Sequence, residues 1–168
     1  MASRHFAGAL WLITAVLLQL GVVTRLHFPI GDPNLALLTV ICLALIEGPG
    51  AGLAYGFAGG LLGDLLSTHT LGRLALVWTV LGYAAGMLQP TEDRESRGAL
   101  LPMIVVGVGS AAALLGYAAT AVVVGDPHVP VRQIVKVAFA GGLYNLLLTP
   151  FLFPPLRGLL RRLAPSRA

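Results

Sequence analysis

The chain has 168 residues, 57% of them hydrophobic and 11% charged, with a mean hydropathy of +0.85. A water-soluble domain of this size does not tolerate so apolar a composition, and no polar block is long enough to fold separately, so a single integral membrane domain is predicted. The net charge of +4 does not point to nucleic acid, because the basic residues are divided among short segments between apolar runs, where membrane topology accounts for them.

The first apolar run covers residues 6–24, between Arg4 and Arg25, close to the roughly 20 residues that span a bilayer. No small-residue cleavage site follows it, so it reads as an uncleaved first helix. The Pro-Ile-Gly-Asp-Pro cluster at 29–33 ends it. Residues 34–66 are almost continuously apolar and, at about 1.5 Å per residue, too long for one span. Glu47-Gly48-Pro49-Gly50 supplies a break, which predicts antiparallel helices over 34–47 and 49–66. A fourth run covers 71–89, a fifth 99–125 and a sixth 134–156. Pro102 lies near the start of the fifth, where it costs little, whereas Pro150, Pro154 and Pro155 are expected to kink or end the sixth and leave 157–168 as a basic tail. A five-span alternative makes the sixth run re-entrant or interfacial.

Six spans put both termini on one side. With the termini inside, the inner side carries Arg4, Arg94, Arg97, Arg157, Arg161, Arg162 and Arg167, and the outer side Arg25, Arg73, Arg132 and Lys136. The excess of basic residues predicts cytoplasmic N- and C-termini.

Gly48, Gly52, Gly56 and Gly60 recur at every fourth residue, with Asp64 next on the same row. Residues four apart stack on one helical face, and small residues there let two backbones approach closely in lipid. The row therefore predicts a helix-packing seam. A carboxylate against lipid is costly, so Asp64 is expected to face protein, a polar cavity or the interface. In the six-span reading Asp64 and Arg73 both lie at the outer end of one hairpin and can meet across its turn. Two roles stay open for them: a clamp on the hairpin, or contact with a partner. A proton relay is disfavoured, since the inner half offers only Glu47 at the rim.

Gly82 and Gly86 on the fourth helix, and Ala138, Gly142 and Asn145 on the sixth, form further small-residue rows. Asn145, with Tyr144 beside it, is expected to hydrogen-bond a neighbouring helix or to line a pocket. His27, His69 and His128 lack ligand spacing, so no metal site is predicted. Cys42 is the single cysteine, read as an inert packing residue. Ser67 and Ser110 have no base nearby in sequence, and no GxSxG, SxxK or GxxxxGK occurs, so neither catalysis nor a cofactor is expected. Arg157, Arg161 and Arg162 follow an apolar run and suit anionic lipid headgroups.

The Pro-Asn-Leu start of the second helix, Glu-Gly-Pro-Gly at 47–50, Gly-Phe-Ala-Gly-Gly-Leu-Leu-Gly-Asp-Leu-Leu at 56–66 and Thr-Leu-Gly-Arg at 70–73 together resemble the rod shape-determining protein MreD family. The segment 81–86, Leu-Gly-Tyr-Ala-Ala-Gly, continues the likeness. The resemblance implies a non-enzymatic, multi-pass protein of the bacterial inner membrane, a scaffold in the complex that directs cell shape and lateral peptidoglycan synthesis. Its implied partners are MreC and, around it, RodA, a class B penicillin-binding protein and the MreB filament. It also implies an all-α fold of six transmembrane helices, similar to the substrate-binding subunits of energy-coupling factor transporters. A vitamin-binding subunit of such a transporter is accordingly the rival reading. Against it, Ala7, Ala9 and Ala15 in the first helix include no pair four apart, whereas those subunits dock through an Ala-x-x-x-Ala pattern.

Overall fold

A computed structural model describes residues 2–26, 30–66, 71–90, 100–124 and 131–163. Six α-helices occur among them: α1 (Ala2–Gly21), α2 (Leu35–Glu47), α3 (Pro49–Leu66), α4 (Arg73–Met87), α5 (Leu100–Val124) and α6 (Val131–Arg162), with a short 3-10 turn at Val23–Arg25. The stretches Arg4–Gly21, Leu100–Val124 and Gln133–Arg162 are each long and apolar enough to cross a membrane. Helices α2 and α4 are apolar but shorter. The outward surface includes Phe6, Val108, Phe139 and Phe151, each well over half exposed. That surface suits lipid contact and would be an aggregation hazard in water.

The helices are arranged around α2. It touches each of the other five, and these touch one another in the cyclic order α1, α3, α4, α5, α6 and back to α1. Its sequence, Leu-Ala-Leu-Leu-Thr-Val-Ile-Cys-Leu-Ala-Leu-Ile-Glu, has no polar face to turn toward solvent, and a helix apolar on all sides is buried on all sides. Residues 36–45 are accordingly all buried, Cys42 among them.

Both ends of this enclosed helix are satisfied by side chains from its neighbours. At the N-terminus the backbone N–H of Asn34 donates to Asn145 Oδ1 (2.9 Å), that of Leu35 to Gln19 Oε1 (2.8 Å) and that of Leu37 to Asn34 Oδ1 (2.9 Å). The first N–H groups of a helix have no partner within it, so these three bonds cap α2 from α6, α1 and its own N-cap residue. At the C-terminus Glu47, its side chain only 2% exposed, pairs with Arg4 Nε (2.8 Å) and His5 Nδ1 (3.0 Å). Tyr55 Oη donates to Glu47 Oε2 (3.1 Å), and Gln89 Nε2 donates to the carbonyl of Ile46 (2.9 Å). Between Glu47 and Pro49 stands Gly48, whose φ of +93° a side chain would disfavour and whose reversal lets α3 return antiparallel to α2.

The sixth helix differs from expectation. It neither ends nor gives way to a tail near residue 156: α6 runs unbroken to Arg162 with Pro150, Pro154 and Pro155 inside it. The physical reason is one-sided burial. Pro154 and Pro155 are exposed, while Phe153, Leu156 and Leu160 on the opposite side are 7%, 1% and 0% exposed in the core, and that packing carries the helix past the lost hydrogen bonds. Arg161 and Arg162 therefore occupy its last turn, where cations complement the helix dipole.

Candidate functional site

The predicted glycine seam is the contact between α3 and α4. A Cβ placed on Gly52 would collide with the carbonyl oxygen of Gly82, and one on Gly56 with that of Trp78. One on Gly60 would lie 2.5 Å from Ala75 Cα. The approach is reciprocal, because a Cβ on Gly82 would strike the Gly52 carbonyl oxygen, and one on Gly86 would lie 2.6 Å from the carbonyl carbon of Gly48. Backbone thus meets backbone along the whole hairpin, a separation that only residues without side chains permit. Gly48 belongs to the turn and not to the helical row, so the row within α3 consists of Gly52, Gly56 and Gly60. A second crossing of this kind joins α5 to α6, where a Cβ on Gly142 would lie 2.8 Å from the Gly107 carbonyl oxygen.

Asp64 closes the seam. It is 1% exposed, and its carboxylate reaches over the start of α4. Oδ2 accepts from the backbone N–H groups of Gly72 (2.9 Å) and Ala75 (3.0 Å), and Oδ1 accepts from Leu74 (3.1 Å). The N-cap position of α4 is Gly72, at φ +93° and with no side chain to cap with. A residue from the preceding helix therefore does the capping, and its charge sits at the positive end of the α4 dipole. These bonds tie the end of α3 to the start of α4 across the hairpin.

Arg73 works on a different joint. It is 5% exposed; Nε donates to Thr120 Oγ1 (3.3 Å) and Nη2 to the carbonyl of Tyr117 (3.3 Å). The guanidinium also lies 4.3 Å from the centroid of the Tyr117 ring, within the range of a cation–π contact. Through these bonds Asp64 joins α3 to α4, and Arg73 joins α4 to α5.

Asn145 is 1% exposed. Its Oδ1 accepts from the Asn34 N–H, while Nδ2 donates to the Asn34 carbonyl (3.2 Å) and to Ser110 Oγ (2.8 Å). It joins α6 to α2 and α5, and it also lies in the wall of a cavity. Tyr144 is half-buried beside it and does not line that cavity. Arg157 stacks toward Phe153 at 6.0 Å, and Arg161 and Arg162 are exposed. His27, His69 and His128, and Ser67, lie outside the described residues. Sequence reasoning did not single out Gln19, Arg4 or Tyr55. A usable signal existed for Asp64 alone, since the glycine at the start of α4 requires a cap from elsewhere.

The seam can be tested with alanine, the smallest side chain. Gly56→Ala is expected to destabilise the purified protein by at least about 1–3 kcal/mol, since the methyl group must push two backbones apart. Gly50→Ala, at a site with nothing within 4 Å, is expected to leave the thermal midpoint in detergent unchanged or slightly raised. Equal midpoints for the two variants would remove the seam from the account.

Comparison with curated proteins and with solved structures gave no match. Comparison with protein families matched the family described as rod shape-determining protein MreD over residues 3–163. That match takes in every helix of the bundle, the α3–α4 seam and both ends of α2, and the chain belongs to the MreD family.

Proposed function

We propose that this protein is a non-enzymatic scaffold of the cell-wall elongation complex, a six-span protein of the bacterial inner membrane with both termini in the cytoplasm. In this reading it binds MreC and supports lateral peptidoglycan synthesis together with RodA, a class B penicillin-binding protein and the MreB filament. The observation that carries the reading is the family match over nearly the whole chain. The use of the buried polar groups agrees with it: Glu47, Asp64, Arg73 and Asn145 are each engaged in bonds between helices, which is what a rigid platform requires.

Asp64 and Arg73 are positioning residues in this proposal. They fix the helix ends on either side of residues 67–70, which lie outside the described residues, and MreC engages the surface next to them. Arg157, Arg161 and Arg162 anchor the cytoplasmic end of α6 on anionic headgroups. The rival, a vitamin-binding subunit with the fold of energy-coupling factor transporters, would share the helix number and a cavity. The spacing of Ala7, Ala9 and Ala15 weighs against it.

Extraction from native membranes in a mild detergent, followed by mass spectrometry of the retained proteins, separates the two. MreC is the expected companion; an ATPase module with a bound vitamin would contradict the scaffold reading. In intact cells an Arg162→Cys variant is expected to resist an impermeant thiol reagent, with native Cys42 silent because it is buried, and labelling from outside would reverse the orientation.

A further inference from the structure

Helix α2 begins at Leu35, level with Asn145 of α6, to which its N-cap residue is bonded, and with Ser110 of α5, which Asn145 also bonds. From those two residues α5 continues to Val124, and α6 reaches back to Val131, each about four turns or roughly 21 Å beyond the start of α2. Helices α5 and α6 thus run on past the central helix, and the space left above the first turn of α2 is a cavity of about 360 Å³.

Its walls are apolar, with Leu74 and Trp78 from α4, Leu114 and Tyr117 from α5 and Val137 from α6. Its polar lining includes Asn34, Ser110 and Asn145. A volume at the lower end of the range for small-molecule sites, with few convergent polar groups in an apolar wall, is the usual form of a ligand pocket.

The chemistry of the lining selects the ligand. Among the described residues no lysine or arginine lines the cavity, and the only carboxyl in its lining is that of the exposed Asp32. At the N-terminus of α2, too, the N–H groups of Asn34, Leu35 and Leu37 are already bonded to side chains, which leaves fewer donors for an anion. Carboxylates and phosphates are therefore disfavoured. Hydrogen-bond donors remain: Ser110 Oγ accepts from Asn145 but its own proton has no acceptor among the described residues, and neither has the Asn34 side-chain amide N–H. Ser110 is 7% exposed, and the face it shows is turned to the cavity.

We propose that this cavity binds a neutral amphiphile, an apolar body with one hydrogen-bond-accepting oxygen such as an alcohol, ether or ester. At about 30 Å³ per water-sized unit the space takes roughly a dozen non-hydrogen atoms. The oxygen receives the Ser110 and Asn34 donors, and the apolar body lies against Trp78 and Leu114. The ester of an uncharged bilayer lipid such as a diacylglycerol, entering by part of its length, and a free small molecule share this chemistry. The site does not depend on the scaffold reading: MreC retention and occupancy of the cavity are separate measurements, and either can fail alone.

The full-length chain with Trp11→Phe keeps Trp78 as its single tryptophan, a reporter in the cavity wall. In phosphatidylcholine nanodiscs, 8-bromo-1-octanol is expected to quench Trp78 saturably, and the charged analogue 8-bromooctanoate to bind about tenfold more weakly. Ala113→Leu, which fills the cavity from the α5 wall, should abolish the saturable quenching while the helical circular dichroism persists. If that variant does not fold, Ser110→Ala replaces it and should weaken the alcohol severalfold. Quenching that rises linearly with probe, or that is unchanged in the folded variant, is partitioning into the bilayer and overturns the proposal. Native mass spectrometry of protein excised with its surrounding membrane then identifies the source, as an adduct of diacylglycerol mass or a lighter one, lost in either case from Ala113→Leu, whereas a phospholipid adduct lost from that variant would contradict the choice of a neutral ligand.

Discussion

A helix without an exposed face can persist only if the groups at its two ends find partners within the protein, because neither lipid nor the surrounding side chains of an apolar core can supply them. Helix α2 meets this condition at both ends. Asn145 and Gln19 reach it from α6 and α1 at the N-terminus, and Arg4, Tyr55 and Gln89 reach it from α1, α3 and the end of α4 at the C-terminus. Each of these side chains also belongs to the ring around α2, so the bonds that satisfy the central helix also set the depth and orientation of its neighbours. Removing one partner leaves a buried group unpaired at a cost of about 1–3 kcal/mol, a large fraction of the stability of an ordinary fold.

Two glycine crossings tighten the ring. Adjacent pairs approach more closely than side chains allow at α3–α4 through Gly52, Gly56, Gly60, Gly82 and Gly86, and at α5–α6 through Gly107 and Gly142. At the end of the hairpin the N-cap position of α4 is Gly72, whose φ of +93° disfavours a capping side chain of its own. Asp64, one step further along the seam, supplies the cap. The cavity belongs to the same arrangement: α5 and α6 run on past the start of α2 and leave space above its first turn.

Much of the helix pattern was legible in the sequence because it depends on local signals. Apolar runs, Gly48-Pro49 and the cluster at 29–33 separate the helices that are observed, and the fourth-residue spacing of glycines identified the face on which α3 packs. The network around α2 was not legible, since Asn34 and Asn145 are 111 residues apart and bond to each other twice; an asparagine inside an apolar run announces a polar contact without naming its partner. Prolines misled for a related reason. Their local effect is to end a helix, and only the burial of Phe153, Leu156 and Leu160 on the other side, a tertiary fact, keeps α6 continuous.

A platform of this construction suits a protein of the MreD family, since its polar side chains are spent on holding helices in register and its lipid-facing surface remains apolar. The enclosure of α2 is most directly tested by amide hydrogen exchange on the intact protein in detergent. With α2 enclosed by five helices and capped at both ends, the amides of residues 38–46 should be the slowest in the molecule, slower than those of α1, because their exchange requires the ring to open. Exchange in α2 as fast as in α1 would show that the central helix is not held as described.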